Sequence, residues 1–327
     1  MSNITALEEL SKWISKQQKE RAYTMGYLIE SGEKLPEIKQ LWGRYIGEGC
    51  LCLFASERGV GKSLISLNLC CAISSGVKSF LGEEIELTGN TLFVDFEMPE
   101  RFIKRRAYKL SKNSPFPINT FQEKVIVIST RNSFEEEYLT IAQMLLDHNP
   151  VLMVIDNLKT ALKNKNPNST VDMANFFSIL GAIREKYNVA IVVIDHLRKG
   201  TRHQKTESDL QSGSGTKTDL SDGDFFLRRS CQDKNLRILK RVKSRMFEES
   251  DETKLVRLNP ETLWFELVDN SVNEAEHIGL SNLTDKDEIR DMAMDLRNQG
   301  KSYAQIAKAL GKGKTTVHNM LKEKGET

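Results

Sequence analysis

The stretch from Leu51 to Leu69 holds the residues best suited to chemistry. An apolar run, Leu51-Cys-Leu-Phe-Ala, leads into Ser56-Glu57-Arg58-Gly59-Val60-Gly61-Lys62-Ser63, and Leu64 begins a series of apolar residues at helical spacing. A strand, a Gly-punctuated turn ending in Lys-Ser and then a helix make a phosphate-binding loop. Successive backbone N–H groups, opened by Gly59 and Gly61, would face an anion on the positive end of a helix dipole. Lys62 would reach the β- and γ-phosphates of ATP, and the Ser63 hydroxyl would ligate Mg²⁺. Ser56, Glu57, Arg58, Gly59, Val60, Gly61, Lys62, Ser63 and Leu64 are therefore the candidate nucleotide-binding set. One residue departs from the pattern: Ser56 stands where a Gly is usual, six positions before Lys62.

Three further candidates close apolar runs. Asp95-Phe96-Glu97-Met98-Pro99 puts Glu97 where a general base could orient a water, or where a solvated carboxylate could simply end a strand. Val-Leu-Met-Val-Ile-Asp156 ends in a carboxylate placed to hold Mg²⁺ through Ser63 or water, or simply to cap the following turn. Asp195-His196-Leu-Arg198-Lys199-Gly200 offers a neutral imidazole that could hydrogen-bond a γ-phosphate. The segment 199–223 is rich in Gly, Ser, Thr, Lys and Asp and reads as a long loop, with Lys199 and Arg202 as candidate DNA contacts. Further on, Lys243 and Arg245 lie in Leu239-Lys-Arg-Val-Lys-Ser-Arg-Met-Phe, where they could neutralise charge on a nucleotide bound by a neighbouring subunit or merely guard a sheet edge.

The elements that must position these residues alternate. Strands are expected at 51–54, 91–96, 125–129, 151–155 and 189–194, with helices at 62–74, 100–111, 133–148 and 171–187. Near-continuous Val/Ile/Leu strands between helices predict a mainly parallel sheet covered on both faces, an α/β fold whose ligands sit beyond the carboxyl ends of the strands. Short strands at 224–227, 236–242, 254–258 and 263–268 then predict an antiparallel meander that finishes the sheet. Residues 1–45 are polar and partly helical; a helical arm docking on another subunit and a surface helix on its own domain are both open.

At 327 residues the chain has room for one large domain and something small. Its net charge of +2 excludes bulk affinity for polyanions, so any nucleic-acid surface must be local. The five cysteines have neither zinc nor disulfide spacing and read as reduced thiols, and no run reaches the length of a membrane span, so a cytoplasmic location is expected.

A polar linker at 270–283 precedes a basic tail, with seven Lys/Arg against two Glu from Arg297 onward. Thr284, Ser302 and Thr315 mark the starts of three short helices, with a core of Ala304, Ile306, Ala307, Leu310, Val317 and Leu321. The turn Leu310-Gly-Lys-Gly is a helix-turn-helix signature. Lys314, Thr315, Thr316, His318 and Asn319 would lie on or near the exposed face of the third helix, within reach of phosphates and base edges.

Taken in order, these motifs resemble RecA-like P-loop ATPases of the hexameric helicase superfamily, nearest to the plasmid RepA-type branch and more distantly to DnaB-type replicative helicases. The resemblance covers about residues 35–268 and rests on the Ser56–Ser63 loop, Phe93-Val-Asp-Phe-Glu97-Met-Pro with Arg105 and Arg106, Val-Ile-Asp156-Asn157-Leu, Ile-Asp-His196-Leu-Arg-Lys199, Asp209-Leu-Gln-Ser-Gly-Ser-Gly and Lys243-Ser-Arg245. It implies nucleotide and Mg²⁺ binding by Lys62 and Ser63, Glu97 as base, Asp156 as metal-side carboxylate and His196 as sensor. It further implies a DNA-facing loop at 200–220 and a trans-acting pair in Lys243 and Arg245. The expected protein is a homo-oligomer, a hexameric ring, that works on DNA in replication, with other replication proteins as partners. Two features depart from the family: the loop lacks its first Gly, and the chain is too short for an additional primase-interacting domain.

Overall fold

A computed structural model describes residues 2–19, 23–163, 165–166, 169–196, 219–248, 252–277, 289–290, 293–294, 296–297, 301–310 and 312–322. The expected contacts at Lys199 and Arg202 and the cap at Thr284 lie outside the described residues. The chain forms two compact units, Met1–Gly200 with Gln204–Val272, and Thr201–His203 with Asn273–Thr327.

The first unit is organised on a nine-stranded sheet in the order β13-β12-β11-β10-β3-β9-β8-β6-β7. Its parallel part is β3 (Leu51–Ser56), β6 (Thr91–Asp95), β7 (Val125–Ser129), β8 (Leu152–Asp156), β9 (Ala190–His196) and β10 (Gly223–Arg229). β11 (Leu236–Ser244), β12 (Thr253–Leu258) and β13 (Phe265–Asp269) follow antiparallel. The strand expected at 224–227 opens the antiparallel meander as β10, which pairs antiparallel with β11 on one side and parallel with β3 on the other, so it joins the two parts of the sheet. Every residue of β3 is buried, with Cys52 and Phe54 in the core on one face and Leu51 and Leu53 in the core on the other. This two-sided burial is why the run reads as continuously apolar.

On one face lies α3 (Lys62–Ser75), which buries residues all around its axis and ends where Gly76 takes φ +76°. On the other lie α5 (Phe134–His148) and α7 (Thr170–Tyr187), both capped by serines, Ser133 and Ser169. α4 (Glu100–Lys112) and the short α6 (Leu158–Leu162) complete the crossovers. Two small hairpins not expected from the sequence, β1 (Gln40–Trp42) with β2 (Ile46–Gly47) and β4 (Ser79–Phe80) with β5 (Glu83–Glu84), are joined by a hydrogen bond from Trp42 Nε1 to the Phe80 carbonyl at 2.9 Å.

The N-terminal segment resolves into two different helices. α1 (Asn3–Lys19) buries Ala6 and Leu10 in the same core as α5 and α7, and Asn3 clasps α5 by donating to the Glu136 carbonyl at 2.7 Å and accepting from Leu139 N at 2.8 Å. α2 (Met25–Gly32) buries none of its residues.

In the second unit, Tyr303–Leu310 and Lys314–Lys322 are helices around a core of Ala293, Ile306, Ala307, Val317 and Leu321. Ser302 and Gln305 form a reciprocal cap at the first of them. Ala304, expected in this core, is exposed, since the helix turns Ile306 and Ala307 inward instead. Lys314, Thr315, Thr316, His318 and Asn319 are all exposed.

Candidate active site

The parallel register lines up the polar strand ends. Ser56 pairs with His196, Asp95 with Asp156, and Asp156 with Ile194, so β3, β9, β8 and β6 finish at one rim of the sheet. α3 begins at the same rim. Gly59 (φ +71°) and Gly61 (φ +116°) shape the loop before it, and a Cβ on Gly61 would stand 2.9 Å from the Phe265 ring. Ser56 does not take a positive φ; it is the last residue of β3, so the usual Gly is not required there by the backbone.

Lys62 is almost fully buried and turns its ammonium onto its own loop. It donates to the Ser56 carbonyl and Ser56 Oγ at 2.9 Å each and to the Glu57 carbonyl at 3.0 Å, and lies 3.2 Å from His196 Nδ1. Burial lowers its pKa to about 8, against the opposing pull of Asp156, Asp195 and Glu97. His196 is lowered to about 4 by burial and by the nearby Lys62 charge, which makes its imidazole neutral at pH 7.

Asp156 is buried, and its pKa is pushed up to about 7 by burial and then by Asp95, while a hydrogen bond from Ser63 opposes the shift. Asp95 is also raised, chiefly by burial, although it accepts from Glu97 N at 2.8 Å and Met98 N at 2.7 Å. Those two bonds fix the main chain that carries Glu97, whose side chain accepts from Asn157 Nδ2.

This donor set fits Mg²⁺. Asp156 and Ser63 are already in contact, and the carboxylate lacks sufficient countercharge in its buried setting. Among the described residues no cluster of three or more His, Cys, Asp or Glu forms a metal cage. Mg²⁺ in nucleotide sites commonly relies on one or two protein ligands plus phosphates and water.

The candidates divide into two groups in space. Ser56, Lys62, Ser63, Glu97, Asp156 and His196 converge at the carboxyl rim. Lys243 and Arg245 lie at the other end, since Gly223, next to Cys52 near the start of β3, pairs with Ser244. Lys243 donates to the Ser221 carbonyl at 2.8 Å, and Arg245 donates to the Asp219 carbonyl. The length of β3, roughly 17 Å, keeps both from their own loop.

Sequence reasoning assigned no role to three residues of the rim. Arg229 donates to the Gly59 carbonyl at 2.7 Å, buried Arg237 donates to the Val60 carbonyl at 2.8 Å, and Asn157 joins Glu97 to the start of α6. Asn157 had a local signal, an N-cap residue followed three positions later by Thr160. The two arginines had none, being 170 and 177 residues from their partners.

Fold and site together define a RecA-like P-loop ATPase, with a mainly parallel sheet and a phosphate loop at its carboxyl rim. A model of the AAA domain family matches residues 27–202, more than half of the chain, and the chain belongs to that family. Among solved structures, the crystal structure of the RadB recombinase is similar over 69% of this chain and 93% of that one, with a TM-score of 0.50 and 14% identity. No curated protein sequence matches the chain.

Proposed function

We propose that the chain is a Mg²⁺-dependent ATP hydrolase that assembles into a ring, a hexamer, and works on DNA as a replicative-type helicase of a plasmid or mobile element, of the RepA-type branch. The observation that carries the hydrolase reading is the convergence of Lys62, Ser63, Glu97, Asp156 and His196 on one rim. Ser63 and Asp156 would hold Mg²⁺, which when bound supplies countercharge to the β- and γ-phosphates. Lys62 would exchange its carbonyl partners for phosphate oxygens. Glu97 would accept a proton from water as the water oxygen bonds to the γ-phosphorus and the bond to the bridging oxygen breaks, the electron pair leaving with ADP. Neutral His196 would hydrogen-bond the γ-phosphate region and relay its loss toward the segment that follows.

Assembly is supported by the placement of Lys243 and Arg245, which can serve a nucleotide only on another subunit. DNA binding is supported by the basic composition of the chain from Arg297 onward and by the exposed Lys314, Thr315, Thr316, His318 and Asn319 of the helix Lys314–Lys322. A filament-forming recombination mediator is the second reading, favoured by the similar structure's description as a recombinase. Purified protein should hydrolyse Mg·ATP, and Lys62→Ala should lose that activity. Strand displacement on a forked duplex, with mass measurement under a non-hydrolysable nucleotide, decides between a closed motor, a nucleotide-switched regulator or loader, and an open filament.

A further inference from the structure

Asn157 is 2% exposed and caps α6. Its Oδ1 accepts from Thr160 N at 3.2 Å and Thr160 Oγ1 at 3.1 Å. Because a main-chain N–H requires an acceptor, these bonds fix which end of the carboxamide faces α6 and which faces the rim. Nδ2 therefore points at the rim, where it donates to Glu97 Oε2 at 2.5 Å and lies 3.4 Å from His196 Nε2. A cap needs only the oxygen, which Asp or Ser supplies as well as Asn. The amide nitrogen serves a different end.

We propose that Asn157 is a positioning residue of the hydrolytic step: its amide holds the Glu97 carboxylate in the orientation that receives the proton of the attacking water, and ties that orientation to His196. The three groups come from three adjacent strands: Glu97 follows β6, Asn157 follows β8 and His196 ends β9. The main chain of Glu97 is held from β6 by Asp95 and its side chain from β8 by Asn157, so a flexible three-bond side chain is fixed at both ends. A base held this way pays little reorientation at each turnover. The inference deepens the ATPase reading and rests on Glu97 as its base.

The test uses Asn157→Asp and Asn157→Ser in the full chain. Both keep an oxygen for the cap; the first puts a carboxylate against Glu97, and the second leaves Glu97 without the amide. The expected result is a kcat about 10- to 100-fold lower in both. For Asn157→Ser, KM for Mg·ATP, affinity for a non-hydrolysable analogue and melting temperature should stay close to those of the parent chain, whereas Asn157→Asp should melt lower because it adds a buried carboxylate beside Glu97. In a Glu97→Gln background, Asn157→Asp should cost nothing more, because the partner it positions is already disabled. Unchanged kcat in the Asn157 variants, with Glu97→Gln inactive, would leave Asn157 as a cap alone and overturn the inference; a raised kcat would overturn it too, showing a restraint rather than a guide. Full turnover by Glu97→Gln would instead remove the base itself, a separate failure of the underlying reading. If Asn157→Asp does not fold, Asn157→Ser carries the same comparison.

Discussion

At the carboxyl rim of the sheet Lys62, Asp95 and Asp156 are each at most 5% exposed, whereas at the amino end the Arg245 side chain is 52% exposed. The rim groups satisfy one another within a few residues of four strand ends, as when Lys62 donates to Ser56 and Glu57. At the amino end Arg245 is held by the Asp219 carbonyl and only loosely by the Asp222 carboxylate, 3.9 Å away. Low dielectric at the rim makes each charge there costly until a counterion arrives, which suits a site where phosphates bind. A guanidinium anchored through a carbonyl, by contrast, keeps most of its charge available to an outside anion. On the proposed reading, one sheet would receive the nucleotide at one end and present a cation to a neighbouring subunit at the other.

The sharpest way to break this contrast is at Arg245. Arg245→Ala should lower ATP turnover by about 10³- to 10⁵-fold while leaving nucleotide affinity intact. Mixing it with Lys62→Ala should restore part of the turnover in assembled protein, because an interface can then pair an intact loop with an intact arginine. Normal hydrolysis by Arg245→Ala alone would reduce the amino end to structure.

At the rim, Asp156→Asn should raise the melting temperature of the nucleotide-free chain by a few degrees and lose Mg²⁺-dependent hydrolysis. The sign follows from the pKa of about 7: a carboxyl raised on folding favours the folded state when protonated, and that contribution is lost as pH rises through the folded value. The gain over the parent should therefore grow from about pH 4, the ordinary carboxylate range, to about pH 7 and level off above it. His196 and Asp224, shifted to about 4 and about 6, titrate in both proteins, whereas Lys62 at about 8 loses the pull of Asp156, so the difference reports Asp156 together with the charges that face it. A flat difference in melting temperature would mean that the buried carboxylate has found its countercharge within the protein.

The smallest effect is expected at Arg229, whose bond to Gly59 spans sheet and loop at the protein surface. Arg229→Ala should weaken Mg·ATP binding by only about two- to tenfold, the worth of one such bond, measured by calorimetric titration. A larger loss would give this arginine a direct nucleotide contact.

β3, β6, β8 and β9 were legible because each is buried on both faces and each ends in a polar residue, and the edge strand β7, though not buried, was placed to the residue at Val125–Ser129. The rim candidates were legible for the same reason, since a strand's end is local information. The pairing of β10 with β3 was not, because a short apolar run does not reveal which strand lies on its other side. Nor were the hairpins at residues 40–47 and 79–84, which hold two-residue strands and depend on Trp42 meeting Phe80, 38 positions away. Lys243 and Arg245 were found by type, but only the register with Gly223 and Asp224 put them opposite the loop.

The clasp of α1 on α5 and α7 has a consequence during synthesis. Asn3 meets partners 133 and 136 residues downstream, and the apolar side of α1 also needs α7. α1 is synthesised well before α5 and α7, so its Ala6 and Leu10 stay uncovered until the chain as far as Tyr187 has followed. A chaperone that meets the nascent chain in that interval would find the stripe exposed.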